Sequence, residues 1–522
     1  MEVTSPQVFG GVSVAVIAAA ALFTLSSKSG NSKRPPSLPN WPLIGHLPYF
    51  AKHLFNGTFY VYLRQVQLKL GHITTNNLVG KIEYHVSDPD TCKRIATSPE
   101  FVRTDFLLRP NQDVFGFALF GMENGPLWKK HRKAIVSGMG PQFVRKAYTV
   151  TVELMDDMIR MFNAHIDSSP SKSYELNIRE YLSLITLDVI TRVAFSHDMN
   201  CLQTYDDDRR LRKEESASGN GNLRKNIDEV SRVGVTRLLI PSFLWWFFKV
   251  TKRHIAPQNK FFDDMIMGFL GPRRKAVEEG TDGEEGINDL LTVLLGRGDD
   301  GEMLFSDKEI RDECLAIMFA GHDTTSNTIT NVFLQLCKNP HALAAMRTEI
   351  DDLTSPNDET CPAFNDLTKF VYVDYVIKET QRTMPIIMGI DREVAADEIE
   401  VLGYKFKKGD YFMANNRAIL LDPEIWGPDS EEFKPERWIN HQVVDGTFYP
   451  FSAGPHACPG MKMALMEAKV VLIQLVRFFD FELVDGQKLE LVDGVVNHLP
   501  EGLKLRVTKR GSEKSREWVT AV

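Results

Sequence analysis

Apolar and polar positions along the chain fall into three kinds of pattern. The first is one unbroken apolar run near the start. Val3 to Ser27 carries no charged residue, and its core, Val8 to Leu25, reads VFGGVSVAVIAAAALFTL. Wound as a helix at ~1.5 Å per residue, this run just crosses a bilayer core. Only Glu2 is charged ahead of it, whereas Lys28, Lys33 and Arg34 follow. That asymmetry places the rest of the chain on the cytoplasmic side. The lack of a basic stretch before the run argues against a cleaved signal peptide. Residues 1–27 are therefore expected to be a single-pass membrane anchor. Arg34 to Pro48 then holds five prolines in 15 residues, which suits neither a helix nor a central strand. Residues 28–49 read as a stiff hinge.

The second pattern is helical. It dominates at about 125–200, 225–275, 305–350 and 460–480. The third is short and strand-like, near Ile73 to Val86, Glu398 to Tyr404, Tyr411 to Asn415 and the C-terminus. Asp206 to Asn222 and Glu278 to Gly286 are polar and read as solvated loops. Residues 50–522 are expected to form one large, mainly α domain with small β-sheets. One helix stands out. Ser306 with Glu309 makes a capping box, and the apolar pattern runs from Asp307 to Lys338, where Asn339-Pro340 ends it. At ~1.5 Å per residue it spans about 48 Å and must pass through the core. Its middle nevertheless reads Ala320-Gly321-His322-Asp323-Thr324-Thr325. Gly, Asp and Thr are poor helix formers, and Thr can bond back to a carbonyl one turn earlier. Local rules broken inside a core helix mark functional sites or a tolerated kink.

Composition changes this picture little. The net charge is −8, which argues against nucleic acid as a partner. The six cysteines form no CxxC pair and are too sparse for a disulfide scaffold.

Cys458 is set apart by its surroundings. Phe451 to Gly460 reads FSAGPHACPG, and the clearly helical MKMALMEAKVVLIQLVRFF follows. Cys458 thus lies just before a helix N-terminus, where free N–H groups and the helix dipole favour an anion and lower a thiol pKa. Gly454 and Gly460 permit tight turns and close approach of backbone to a flat ligand. One thiolate with no second Cys nearby, and only His456 in its loop, cannot close a tetrahedral zinc site. It is what a haem iron uses as an axial ligand. From the residues alone, a buried structural cysteine after a Gly-rich turn remains the alternative.

The loop resembles the haem-binding signature of the cytochrome P-450 superfamily, F-x-x-G-x-[RH]-x-C-x-G, through Phe451, Gly454, His456, Cys458 and Gly460. His456 stands where Arg is more frequent. Ala464 and Glu467 follow at the family's spacing. Ala320 to Thr325 resembles the oxygen-activation motif, Glu379 to Arg382 the E-x-x-R pair, Phe433 to Trp438 (FKPERW) the segment that completes that pair's network, and Trp128 to Arg132 (WKKHR) the W-x-x-x-R helix. The five matches occur in the family's order between about 40 and 500.

The resemblance implies a mainly α cytochrome P-450 fold behind an N-terminal transmembrane helix. It implies haem b (iron-protoporphyrin IX) as cofactor, with Cys458 as the iron ligand and Phe451 and Gly460 beside it. Trp128, Arg132, Arg392 and His456 are implied as propionate contacts. Asp323 and Thr324 would deliver protons on the distal side, with Gly321 making room for dioxygen in the opened helix. Glu379, Arg382 and Arg437 would brace the Cys loop without taking part in chemistry. It further implies electrons from a separate NADPH-cytochrome P-450 reductase in the endoplasmic reticulum membrane, with cytochrome b5 as a second candidate donor. Lys129, Lys130, Lys133 and Lys462 are candidate docking charges. A lipophilic substrate (steroid, fatty acid or terpenoid) would meet Thr104 to Leu119, Phe319 and Ile386 to Ile390. Leu238 to Val250, LLIPSFLWWFFKV, either dips into the bilayer or is buried core. Two alternatives to a monooxygenase stand beside this reading: a reductase-independent family member that rearranges peroxides or isomerises, and a non-catalytic haem sensor. The intact Asp323-Thr324 pair argues against the former.

Overall fold

The computed structural model describes residues 34–511 apart from 43, 79, 104–111, 211–225, 228, 231, 235, 238–241, 243–244, 280–288, 299–300, 356–359, 441 and 495. The expected membrane helix at 1–27 and hinge residues 28–33 lie outside the described residues. So do 104–111 of the expected substrate-lining stretch, most of both expected polar loops, and part of the 238–250 run. Among the described residues no helix is long and apolar enough to cross a membrane.

In chain order the elements that position the site are α1 (Leu47–Asn56), α2 (Phe59–Leu70), β1 (Ile73–Leu78), β2 (Lys81–Val86), α3 (Pro89–Thr97), β3 (Phe101–Val102), α4 (Pro126–Gly138), α5 (Pro141–Ser168), β4 (Tyr174–Asn177), α6 (Ile178–Phe195), α7 (Lys252–Glu278), α8 (Asp307–Lys338), α9 (Pro340–Leu353), α10 (Val371–Thr383), β5 (Gly389–Val394), β6 (Glu398–Val401), β7 (Tyr404–Lys407), β8 (Tyr411–Asn415), α11 (Met461–Phe478), β9 (Phe479–Leu483) and β10 (Lys504–Lys509). They group into two compact units.

The first unit comprises the chain up to Thr104, Met388–Gly427 and Val444–His456. Its sheet has the order β1-β2-β8-β5-β3, with β2 and β8 parallel and the other pairs antiparallel. All five residues of β8 are buried. Phe412 and Ala414 join Val86, Ile95, Phe101 and Ile390 in one apolar cluster. The proline-rich stretch is laid along β1. Thr75 donates its N–H to the Pro36 carbonyl at 2.8 Å and its hydroxyl to the Pro35 carbonyl at 2.9 Å. The residues from Pro35 onward that read as hinge are thus held by the unit's own sheet.

The second unit comprises Asp105–Ile387, Pro428–Val443 and Ala457–Val522. Here α5, α6, α8 and α11 share one large core, with the antiparallel sheet β4-β10-β9 at its side. The expected helical stretch at 125–200 is cut into α4, α5 and α6. Pro126 and Pro141 open the first two, as proline suits a first helical turn. The stretch at 225–275 is broken at Trp245–Lys249, a turn in which Lys249 has φ 54°.

The long helix α8 has the expected bounds. Ser306 Oγ accepts the Glu309 N–H at 3.3 Å, and Glu309 Oε2 accepts the Ser306 N–H at 2.8 Å. The helix stays α-helical through Ala320–Thr325 without the opening expected there. Gly321 has a close neighbour on the side a Cβ would take. A Cβ there would lie 2.9 Å from Ile190 of α6, so this glycine lets two core helices approach. Three carbonyls around this turn take side-chain donors. Those of Met318, Ala320 and His322 accept side-chain bonds from His322, Thr324 and Thr186 at 3.0, 2.8 and 3.0 Å.

Ser306→Ala is expected to cost about 1 kcal/mol by removing the cap. Chemical denaturation of the full protein checks it, and an unchanged midpoint would show that the box does not hold the helix start.

Candidate active site

Of the six cysteines, all described, Cys458 is the exposed one; Cys92, Cys201 and Cys314 are buried, and Cys337 and Cys361 half-buried. Burial pushes the thiols of Cys337 and Cys361 up to about 12. Burial also pushes Cys458 up, but three groups oppose it: the Gly460 N–H, the Arg132 guanidinium and the Met461 N–H. The helix start therefore acts on the sulfur as expected, yet crowding by the protein outweighs it and the free thiol is not acidified. A bound metal cation would remove the proton outright. Gly460 has an ordinary φ of −83°, so the turn does not require glycine. A side chain there would begin 3.8 Å from Cys458 Sγ, and its absence keeps that flank of the sulfur clear.

Helix α4 supplies the neighbouring charge. Pro126 starts it, and Trp128, His131, Ala134 and Ile135 form its buried face. Trp128 packs with Leu119, Met122 and Ile135. Half-buried Arg132 donates from Nη2 to the Ala457 carbonyl, one residue before the cysteine. Its own pKa is lowered by burial and partly restored by Cys458.

On α8, Thr324 is half-buried, with its hydroxyl committed to Ala320. Asp323 accepts from Asn327 Nδ2 at 2.8 Å and from Arg179 Nη2 at 3.5 Å, and Arg179 Nε reaches Asn327 at 2.9 Å. No local pattern linked Arg179 of α6 to this motif.

Glu379 and Arg382 of the brace are fully buried, and Arg437 is half-buried. Glu379 Oε1 accepts from Arg382 Nη2 at 2.7 Å, the Lys434 N–H at 3.0 Å and Arg437 Nε at 3.4 Å. Its Oε2 accepts from Arg382 Nε at 2.9 Å and Trp438 Nε1 at 3.0 Å. Arg382 also donates to the Ser430 and Glu432 carbonyls. Arg437 reaches Asp429 at 2.8 Å and, with Lys434, holds that carboxyl down at about 2. The sequence pointed to Glu379, Arg382 and Arg437. It missed Asp429 and the indole of Trp438, although Trp438 stands in the same FKPERW segment.

The other named residues, Arg392, Phe451 and His456, belong to the first unit. Phe451 is half-buried, and His456 ends a short 3-10 turn, Gly454–His456. Gly454 has φ 63°, and a Cβ there would lie 3.0 Å from Thr97 of α3, so its close approach is to protein. Arg392 on β5 is buried, and burial lowers its pKa. Nη1 donates to the Asp391 carbonyl at 2.7 Å, which leaves most of its five donors for another acceptor.

Taken unit by unit, the chemistry of these residues suits a haem: in the second unit one open thiol offers a single bond to a metal. Among the described residues no group of three His, Cys, Asp or Glu side chains could hold a metal ion by itself. A buried guanidinium with donors to offer suits a carboxylate such as a propionate.

Glu467, two turns into α11, was noted only for its spacing. It is fully buried, and neither carboxyl oxygen has a protein hydrogen-bond partner. Burial alone pushes its pKa far up, so the folded protein holds it protonated. Stability is then lost as pH rises from the unfolded value, about 4.3, towards the folded one. Glu467→Gln has no proton to lose. Its melting temperature should gain on that of the parent between about pH 5 and about pH 8. A gap that stays constant with pH would mean the buried acid ionises as readily as in the unfolded chain.

Comparison with known proteins accords with this geometry. The family model described as cytochrome P-450 matches residues 35–505. A cytochrome P-450 monooxygenase of Fusarium sp is 24% identical over 517 residues, covering 98% of this chain and 95% of its own length. Beta-amyrin 11-oxidase of Glycyrrhiza uralensis is 24% identical over 470 residues, covering 87% and 86%. Chloroplastic carotene epsilon-monooxygenase of Arabidopsis thaliana is 26% identical over 445 residues, covering 81% and 77%. The family binds haem b through a cysteine thiolate, acts on lipophilic substrates and takes electrons from redox partners. The mainly helical fold with small sheets, the lone open thiol and these matches agree: the chain belongs to the cytochrome P-450 family and is a monooxygenase.

Proposed function

We propose that Cys458 would hold the iron of haem b through its thiolate and that the enzyme inserts one oxygen atom of O2 into a steroid, fatty acid or terpenoid. The observation that carries this is the exposed sulfur at the start of α11, faced by two backbone N–H groups and Arg132. When bound, haem would supply the activation of dioxygen, with the Cys458 thiolate as the iron's protein ligand. Trp128, Arg132, Arg392 and His456 hold the propionates. Phe451 packs beside the ligand loop, and Gly460 keeps the sulfur's flank clear. Glu379, Arg382 and Arg437 fix the backbone that carries the loop. Thr324, whose hydroxyl donates to the Ala320 carbonyl, and Asp323, steadied by Arg179, would be the residues that hold and move protons on the distal side.

Electrons come from NADPH through a separate reductase, with cytochrome b5 as a second donor. Exposed Lys129, Lys130, Lys133 and Lys462 supply docking charges. Residues 1–27 anchor the protein in the endoplasmic reticulum membrane with the body on the cytoplasmic side. Trp246 and Phe247, 77% and 71% exposed, support contact with that membrane, while Val250 of the same run is buried. Relatives named for β-amyrin and carotene support a lipophilic, terpenoid-like substrate.

Cys458→Ala is expected to abolish the thiolate form in the carbon monoxide difference spectrum of the reduced protein. A spectrum unchanged by the substitution would remove Cys458 as ligand. Thr324→Ala should keep that spectrum while product per NADPH falls on the order of ten-fold or more, the remainder appearing as hydrogen peroxide. Full coupling in this variant would take Thr324 out of proton delivery.

A further inference from the structure

Helix α4 carries a histidine where packing alone calls for an apolar side chain. His131 shares the buried face of Trp128 and Ile135 and is itself fully buried, whereas Lys129, Lys130 and Lys133 are exposed. Its two ring nitrogens meet two carboxylates of α8. Nδ1 lies 2.7 Å from Glu313 Oε1, and Nε2 lies 3.4 Å from Glu309 Oε1. The Phe305 ring closes over the imidazole at 4.6 Å between centroids. Neither carboxylate is free to move. Glu313 is buried, and its Oε1 also accepts the Leu119 N–H at 2.7 Å. Glu309 is the acid of the capping box, and its other oxygen holds the Ser306 N–H and hydroxyl at 2.8 and 2.7 Å.

We propose that His131, gripped by Glu313 and Glu309, is a positioning residue that sets where the neighbouring Arg132 presents its charge to the Cys458 loop. The argument is geometric. Glu309 and Glu313 stand one turn apart on α8. An imidazole bridging them fixes α4 both along α8 and in rotation about its own axis. The next residue, Arg132, then delivers its guanidinium to the Ala457 carbonyl and to Cys458. Each ring contact is a hydrogen bond only if the imidazole nitrogen or the carboxyl it faces carries the proton between them, so the bridge is directional in a way that an apolar contact is not. Buried charged groups seldom raise stability over an apolar replacement. Their return here is register.

The inference rests on Cys458 being the iron ligand. With the guanidinium held near the thiolate, an added electron on the iron is favoured. The test is the midpoint potential of the haem-loaded enzyme, read with the carbon monoxide spectrum and the melting temperature. His131→Ala is expected to shift the potential negative, in the sense of Arg132→Gln, and the double variant should shift little beyond Arg132→Gln alone. Should His131→Ala fail to fold, Glu313→Gln, which keeps the acceptor for Leu119, is expected to give a smaller shift of the same sign. A lowered melting temperature with an unmoved potential, or full additivity in the double variant, would overturn the proposal. Failure of the ligand reading is seen separately, as a thiolate spectrum that survives Cys458→Ala.

Discussion

On the proposed ligand reading, the Cys458 sulfur stays open to a metal while the groups that locate it are held by packed helices. That constraint organises the second unit. Cys458 is solvent-exposed, yet the N–H groups of Gly460 and Met461 and the Arg132 guanidinium converge on it. None of these can wander. The N–H groups belong to the first turn of α11, whose remaining length is buried in the main core. Arg132 belongs to α4, which is sewn to α8 through His131. A ligand loop has no hydrophobic core of its own, so its geometry is borrowed from the helices at its flanks.

The same logic explains why so much charge lies inside this unit. Glu379 accepts five hydrogen bonds at full burial, and Arg382 donates to three different groups. Removing any one partner leaves a buried charge uncompensated, which costs several kcal/mol. Such a network tolerates one arrangement, which is what a backbone carrying the 429–438 segment needs. Glu467 is the contrast. With no partner, it avoids the cost of a buried charge by keeping its proton.

Much of this was legible in the residue pattern because its signals are local. The cap at Ser306, the stop at Asn339-Pro340, the strands at Ile73–Val86 and Tyr411–Asn415, and a cysteine in a Gly-rich turn ahead of a helix all declare themselves within a few positions. What stayed hidden depends on pairs far apart in the chain. Arg179 reaches Asp323 across 144 positions, and His131 reaches Glu313 across 182. No spacing rule joins them. The thiol of Cys458 shows a second limit. Its position at a helix start was plain, but whether dipole or desolvation prevails depends on how closely protein crowds the sulfur, and burial won.

The middle of α8 shows how a local irregularity can be real without being a break. Gly, Asp and two Thr suggested an opened helix, and the helix is not opened. The carbonyls of Met318, Ala320 and His322 each accept a side-chain donor, from His322, Thr324 and Thr186. At the same turn Gly321 lets Ile190 of α6 approach. The residues that look worst for helix stability thus sit where side-chain bonds and a neighbouring helix support the backbone.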